Sequence, residues 1–401
     1  MRITSGRSYP RSLTTSRKER SRDRRFMRVF STDGQQWKDY RRLFRMQFSK
    51  HRVADFDILE KHMQTFLSLL SGSTTVDIGD LFARLGMDTM TEAFFDQSSD
   101  SLTVPNNALA HAFDEVQRIQ NLIFKTGPLK VFFNKRPYYD GIKTIDAFVQ
   151  PLIKRTLDLQ DKQRSSPSPA DSTSFLHNLA SYTSDPKVIR DQLVSALMAG
   201  RDTTGSTLSW MYHELSKQPH LVARLRAEIL SKIGHDRPSI DDLKSLRLLQ
   251  HTINETMRVH PGLPFATRIA ARDTTLPRGG GPDGTHPIGV LKGTVVCYSN
   301  LIMFRRPDIY PSACADFPDY RDFAPDRWEK WSPRSWTFIP FNAGPRVCVG
   351  QEFAMAHMAY VTVRILQSYE RIECVMRDEP GERCDVILFP GKSIEVLRDV
   401  Q

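Results

Sequence analysis

The stretch Phe341-Asn342-Ala343-Gly344-Pro345-Arg346-Val347-Cys348-Val349-Gly350 decides the reading of this chain. A cysteine stands between two glycines, in a loop that opens onto a helix. Gly344 permits a tight turn with positive φ, and Gly350 permits close backbone approach. At a helix N-terminus the dipole and the free N–H groups lower a thiol pKa, so Cys348 is expected to ionise readily. A thiolate there can ligate a metal. Arg346 points a cation toward the same place. A buried structural cysteine in a glycine turn would explain Cys348 alone. It does not explain Phe341, Gly344, Arg346 and Gly350 at fixed spacing around it.

Outward from that stretch, the composition is that of a globular protein: 401 residues, 40% hydrophobic and 25% charged. There is no long apolar run of the kind that spans a membrane, and no secretory leader. The five cysteines, at 297, 314, 348, 374 and 384, are too few for a disulfide scaffold and contain no C-x-x-C pair. A reduced, intracellular setting is the default. The net charge of +10 is local, because residues 1–28 carry +8 of it. That segment is rich in Ser and Arg and is expected to be a disordered basic tail. An organelle-targeting segment would need a cleaner amphipathic pattern. A nucleic-acid arm would need aromatic stacking partners, so no nucleic-acid partner is expected.

The rest, 29–401, reads as one helix-dominated domain with a minor sheet. Trp37, Tyr40, Arg41, Phe44 and Phe48 follow helical spacing across Gln36–Phe48, with Asp33-Gly34 as its start signal. Further helices are expected over 53–70, 80–95, 142–162, 186–217, 240–259 and from Gly350 to about Tyr369. Strands are expected within 284–299 and 385–398, with Gly279-Gly280-Gly281 as a turn before the first. The Pro/Ser-rich 163–173 reads as a surface loop. No β-α alternation is present, which excludes a doubly wound sheet.

Three more constellations carry chemistry. Ala199-Gly200-Arg201-Asp202-Thr203-Thr204 is a poor helical stretch in the middle of a long helix. Read bare, it marks a kink with a hydroxyl bonding a carbonyl. Glu255 and Arg258, at i and i+3, share a helix face and can pair on a surface. Trp37 and Arg41, at i and i+4, offer an indole N–H and a guanidinium to a carboxylate, although Trp37 alone could be a core anchor.

Phe341 to Gly350 fits F-x-x-G-x-R-x-C-x-G, and on it the chain resembles the cytochrome P450 haem-thiolate monooxygenases from about Phe26 to Val400. The resemblance implies a mainly α, helical P450 fold with a minor β region. It implies haem (heme, iron protoporphyrin IX) with Cys348 as the axial thiolate, which favours O–O cleavage. Phe341 would pack on the thiolate side. Arg346, the Trp37–Arg41 pair and Arg268 would contact the haem propionates. Asp202 and Thr203 match the acid and alcohol that deliver protons to dioxygen, in a helix opened to make room for it. Arg327, in Phe323-Ala324-Pro325-Asp326-Arg327-Trp328, would join Glu255 and Arg258 in a buried network. Leu197, Ala199, Leu263, Phe265, Ala266 and Phe389 would face the substrate.

The Pro277-Arg278-Gly279-Gly280-Gly281-Pro282-Asp283-Gly284 insert is similar to that of the fungal terminal hydroxylases of n-alkanes and fatty acids. The implied reaction inserts one atom of O2 into a C–H bond of a lipophilic, aliphatic substrate. Electrons would come from NADPH–cytochrome P450 reductase. The resemblance also implies the endoplasmic reticulum membrane, or at least its surface. The chain starts where the family's third major helix starts, so the anchor, the first strands and the first two helices are expected to be missing. Residues 312–322 are longer than the family's pattern and 329–335 shorter. Two other readings stay open: a truncated remnant with impaired haem binding, and a haem-thiolate enzyme of other chemistry, against which Asp202-Thr203 argues.

Overall fold

A computed structural model describes residues 30–400, apart from 31, 72–74, 105, 127–132, 166–173, 315–316 and 376–377. The expected basic tail and most of the Pro/Ser-rich loop lie outside the described residues. The helices of six residues or more are α1 (Gly34–Gln47), α2 (Asp57–Ser71), α3 (Ile78–Phe95), α4 (Ala108–Thr126), α5 (Arg136–Ser165) and α6 (Phe175–Tyr182). They continue with α7 (Pro186–Ser216), α8 (Pro219–Lys232), α9 (Ile240–Ser245), α10 (Arg247–Val259) and α11 (Gln351–Ser368). The strands are β1 (Thr75–Asp77), β2 (Phe265–Ile269), β3 (Thr274–Gly280), β4 (His286–Val290), β5 (Val295–Ser299), β6 (Tyr369–Cys374), β7 (Glu382–Cys384), β8 (Leu388–Pro390) and β9 (Glu395–Val400). They pair antiparallel as β1-β9-β6, β2-β5, β3-β4 and β7-β8. The molecule is mainly α with small sheets, as expected.

Helix α7 organises the core. It starts on Pro186, with the Asp185 carboxylate accepting from the backbone N–H of Lys187 and Val188. Its first half, through Ile189, Leu193 and Leu197, belongs to one apolar cluster with α1 and α3–α6. Its second half, through Leu208, Met211 and Leu215, belongs to another with α2, α3 and α8–α11. The weak stretch 199–204 is the seam between them. The expected opening there is not observed: α7 is helical without interruption from Pro186 to Ser216. Thr203 Oγ1 returns to Ala199 O at 2.7 Å, the bond that lets a hydroxyl sit inside a helix without breaking it. Small residues let α3 come close. A Cβ on Gly200 would stand 2.5 Å from Met90 Sδ, and one on Gly86 would stand 3.4 Å from the Arg201 backbone.

Two other expectations change. The helix over 240–259 is two helices, because Ser239 and Asp242 form a capping box for α9 and the chain turns at Leu246. Gly279-Gly280 is strand and not turn: β3 runs through both and pairs with β4 across an irregularity between Leu276 and Gly280. Glycine is enough to hide a strand from a reading by periodicity.

Glu255, on α10, is fully buried. It accepts from Arg258 Nε (2.8 Å) and Nη2 (2.9 Å), Arg327 Nε (2.9 Å), Ala324 N (2.8 Å) and Trp328 Nε1 (3.0 Å). Five donors on one carboxylate offset its desolvation. They bind α10 to the 319–328 segment, which leads into the cysteine loop.

Candidate haem-thiolate site

The loop before α11 is set by two left-handed residues, Asn342 (φ 64°) and Gly344 (φ 71°). Asn342 tolerates that conformation because its short side chain bonds locally: Oδ1 accepts from Ala343 N at 2.9 Å. Val347 N donates to Gly344 O at 3.0 Å and Cys348 N donates to Phe341 O at 2.9 Å, so the loop closes on itself. Phe341 thus supports Cys348 through its carbonyl. Gly350 precedes α11 directly, and a Cβ there would lie 3.4 Å from the Phe48 ring. The close approach expected at Gly350 is to that ring.

Cys348 has an exposed side chain, yet it lies deep enough that burial pushes its thiol up. The N–H of Gly350 and the charge of Arg41 pull it down, as a helix start and a cation must, but loss of solvent outweighs them. The expected lowered thiol is therefore corrected in sign. Together these observations describe a sulfur enclosed by protein and open on one side.

Helix α1 brings Trp37 and Arg41 to the loop. Arg41 Nη2 donates to Val347 O at 2.7 Å. Its Nε is buried with no hydrogen-bond partner, and burial lowers the guanidinium's pKa. The Arg41 and Arg346 guanidinium carbons lie 5.6 and 4.2 Å from the Trp37 ring centroid. Arg346 Nη2 donates to Asp33 Oδ1 (2.7 Å) and Thr32 O (2.8 Å). That contact explains why Asp33, at the cap position of α1, makes no cap bond with its side chain. Arg268, on β2, is less direct. It lies 5.9 Å from the Tyr298 ring, and Tyr298 OH donates to Asn342 Oδ1 at 2.7 Å. The side chains Tyr298 and Asn342, which join Arg268 to the loop, were not singled out from sequence.

On α7, Asp202 is 4% exposed, with Oδ1 3.0 Å from Arg201 Nη1 and a buried, unpartnered Oδ2. Its carboxyl is pushed up to about 6, by burial first, against the pull of Arg201. Ala199 and Thr203, one turn apart, are half-buried on a helix otherwise largely buried. Among the expected substrate-facing positions, Ala199, Leu263 and Phe389 are half-buried and Phe265 is exposed. Ala266 is buried, and Leu197 belongs to the first-half core of α7 at 1% exposed, which corrects its assignment.

A haem needs an accessible thiolate and cations for two propionates. The open sulfur of Cys348, the unpartnered Nε of Arg41 and the guanidinium of Arg346 beside the same indole fit that group. The class that this donor set fits is the haem-thiolate oxidoreductases. The profile of the cytochrome P450 family matches residues 5–397. The chain is 42% identical to cytochrome P450 monooxygenase pvhE of Talaromyces variabilis, over 92% of this chain and 72% of that protein. It is 37% identical to cytochrome P450 52A1 of Candida tropicalis (86% of this chain, 66% of that one) and 35% identical to cytochrome P450 monooxygenase alt2 of Alternaria solani (91% and 73%). The chain belongs to the cytochrome P450 family, whose cofactor is a thiolate-ligated haem and whose activity is that of a monooxygenase.

Proposed function

We propose that this chain hydroxylates an aliphatic C–H bond, with Cys348 as the axial ligand of haem. The observation that carries the reading is the open sulfur of Cys348 in a loop that also gathers Arg41, Arg346 and Trp37. When bound, the haem supplies oxygen activation and C–H oxidation. The chain's own residues hold and orient it. Arg41, Arg346 and Arg268 take the propionates, Trp37 backs the first two, and Phe341 and Gly350 keep the thiolate side closed. Asp202 and Thr203 move protons. Asp202 Oδ2 is the atom that carries the proton inward, and Thr203 Oγ1 passes it on by turning from Ala199 O. Acid–base assistance of this kind is worth about 10²–10⁴-fold.

The aliphatic substrate rests on the likeness of the 277–284 insert to the fungal terminal hydroxylases of n-alkanes and fatty acids. Electrons come from NADPH through cytochrome P450 reductase, and the working site is the surface of the endoplasmic reticulum membrane. No helix among the described residues is long and apolar enough to cross a membrane. The test of the ligand is the reduced, carbon-monoxide difference spectrum, which must show the red-shifted band of thiolate-ligated haem. The test of the substrate is a haem spin-state shift on titration with long-chain n-alkanes and fatty acids. A shift with neither class would remove the aliphatic assignment.

A further inference from the structure

Arg201 lies within the Ala199–Thr204 stretch, and its side chain is only 4% exposed. Neighbouring residues on a helix do not face each other. Arg201 and Asp202 nevertheless pair at 3.0 Å. The guanidinium is drawn into place from outside α7. Its Nε donates to Ala83 O of α3 at 3.2 Å, its Nη1 donates to the Asp114 carboxylate of α4, and its charge lies 5.5 Å from the Phe113 ring. Asp114 stands at the solvent boundary, its side chain 58% exposed. Arginine does not deprotonate, so it acts here as a fixed counter-ion and not as a relay.

We propose that Asp114 is a positioning residue for proton delivery: it fixes Arg201 from the solvent side, and Arg201 in turn ties Oδ1 of Asp202 and leaves Oδ2 to carry a proton. A buried carboxyl facing one unshared guanidinium would stay ionised. Sharing that guanidinium with Asp114 weakens its hold on Asp202. The charged and polar groups around Asp202 are Arg201, Asp114 and Gln117. Burial and Asp114 push the carboxyl up, while Arg201 and Gln117 pull it down. Asp114 is on α4 and Asp202 on α7, so the proton supply depends on how α4 sits against α7.

The inference rests on the reading of Asp202 as the proton carrier, and the test separates the two. The haem-loaded enzyme is compared with Asp202→Asn, Asp114→Asn and Asp114→Glu. Two quantities are measured against pH: product formed per NADPH consumed, and the infrared C=O band of protonated Asp202, identified by its loss in Asp202→Asn. In Asp114→Asn both midpoints should fall by roughly one pH unit, a tenfold change in the proton equilibrium. More NADPH should then go to peroxide at neutral pH. Asp114→Glu, which keeps the charge, should bring both midpoints back. Unmoved midpoints in Asp114→Asn, with Asp202→Asn uncoupled, would overturn the role of Asp114 and leave that of Asp202 standing. Unaltered coupling in Asp202→Asn would overturn both.

Discussion

Cys348 is set apart by its surroundings. Cys297 is exposed as well, but it lies in β5, outside the loop that gathers Arg41, Arg346 and Trp37. Cys348→Ala should therefore abolish the thiolate band in the carbon-monoxide difference spectrum, whereas Cys297→Ala and Cys384→Ala should keep it. At Glu255 the argument is energetic. Glu255→Gln removes the charge that compensates Arg258 and Arg327, both at most 1% exposed. Breaking a buried network by removing one partner costs about 3–5 kcal/mol, a large part of an ordinary stability of about 5–15. Thermal unfolding should show it as a marked fall in Tm, and an unchanged Tm would mean that the buried charges are compensated elsewhere. The pairing of Glu255 and Arg258 was legible from their spacing alone. Their burial was not, because the same spacing suits a solvated surface pair.

Helices α1, α3, α7 and α11 were legible as elements and fall within about two residues of their expected limits. The short α6 and the strands β1 and β2 were not, because three to eight residues carry too little pattern to stand out. Helices α4 and α8 were missed as well, although both are amphipathic. Packing between α4 and α5 is decided at Gly141. A Cβ there would stand 2.7 Å from Val116 Cγ2 and 3.0 Å from Ala112 O. Gly141→Leu gains about 1 kcal/mol of helix propensity, but forcing a large side chain against a backbone carbonyl costs about 1–3 or more. Overpacking wins, and the variant should unfold at lower denaturant than the parent. A higher midpoint would mean that α4 and α5 separate freely. Trp210 ties α7 to the β7-β8 hairpin: its Nε1 donates to Leu388 O at 2.9 Å and its ring stacks on His260 at 3.9 Å. Trp210→Phe, which leaves the buried carbonyl one donor short, should destabilise by about 1–3 kcal/mol.

For the molecule as a whole, pH response follows from its buried histidines. His357 is pushed down to about 3 by burial, and burial is also the largest influence lowering His260. Both stay neutral in the fold but take a proton when unfolded near the ordinary value of 6.5. The unfolded chain thus binds more protons below that pH, so stability falls as pH drops, by about 1.4 kcal/mol per unit for each such group. Glu214, held at about 2 chiefly by its bond to His260 against burial, adds a loss below its ordinary 4.5. Asp202 works the other way, since its raised value gives the fold the extra proton between about 6 and 3.8. Between pH 7 and 5 the two histidines act against Asp202 alone, which leaves a net loss. Denaturant midpoints should decline from pH 7 to 5, and His357→Gln should flatten the decline. An equal slope in that variant would place the effect elsewhere. The sequence by itself determined the helical class, the cysteine loop and the family, because spacing and residue type are local properties. Only the tertiary structure decided that α7 stays unbroken at 199–204, that burial raises the Cys348 thiol, and that Arg201 joins Asp114 to Asp202. Each of those depends on which atoms exclude water and which distant helix supplies a partner, and neither is written in the spacing of one segment.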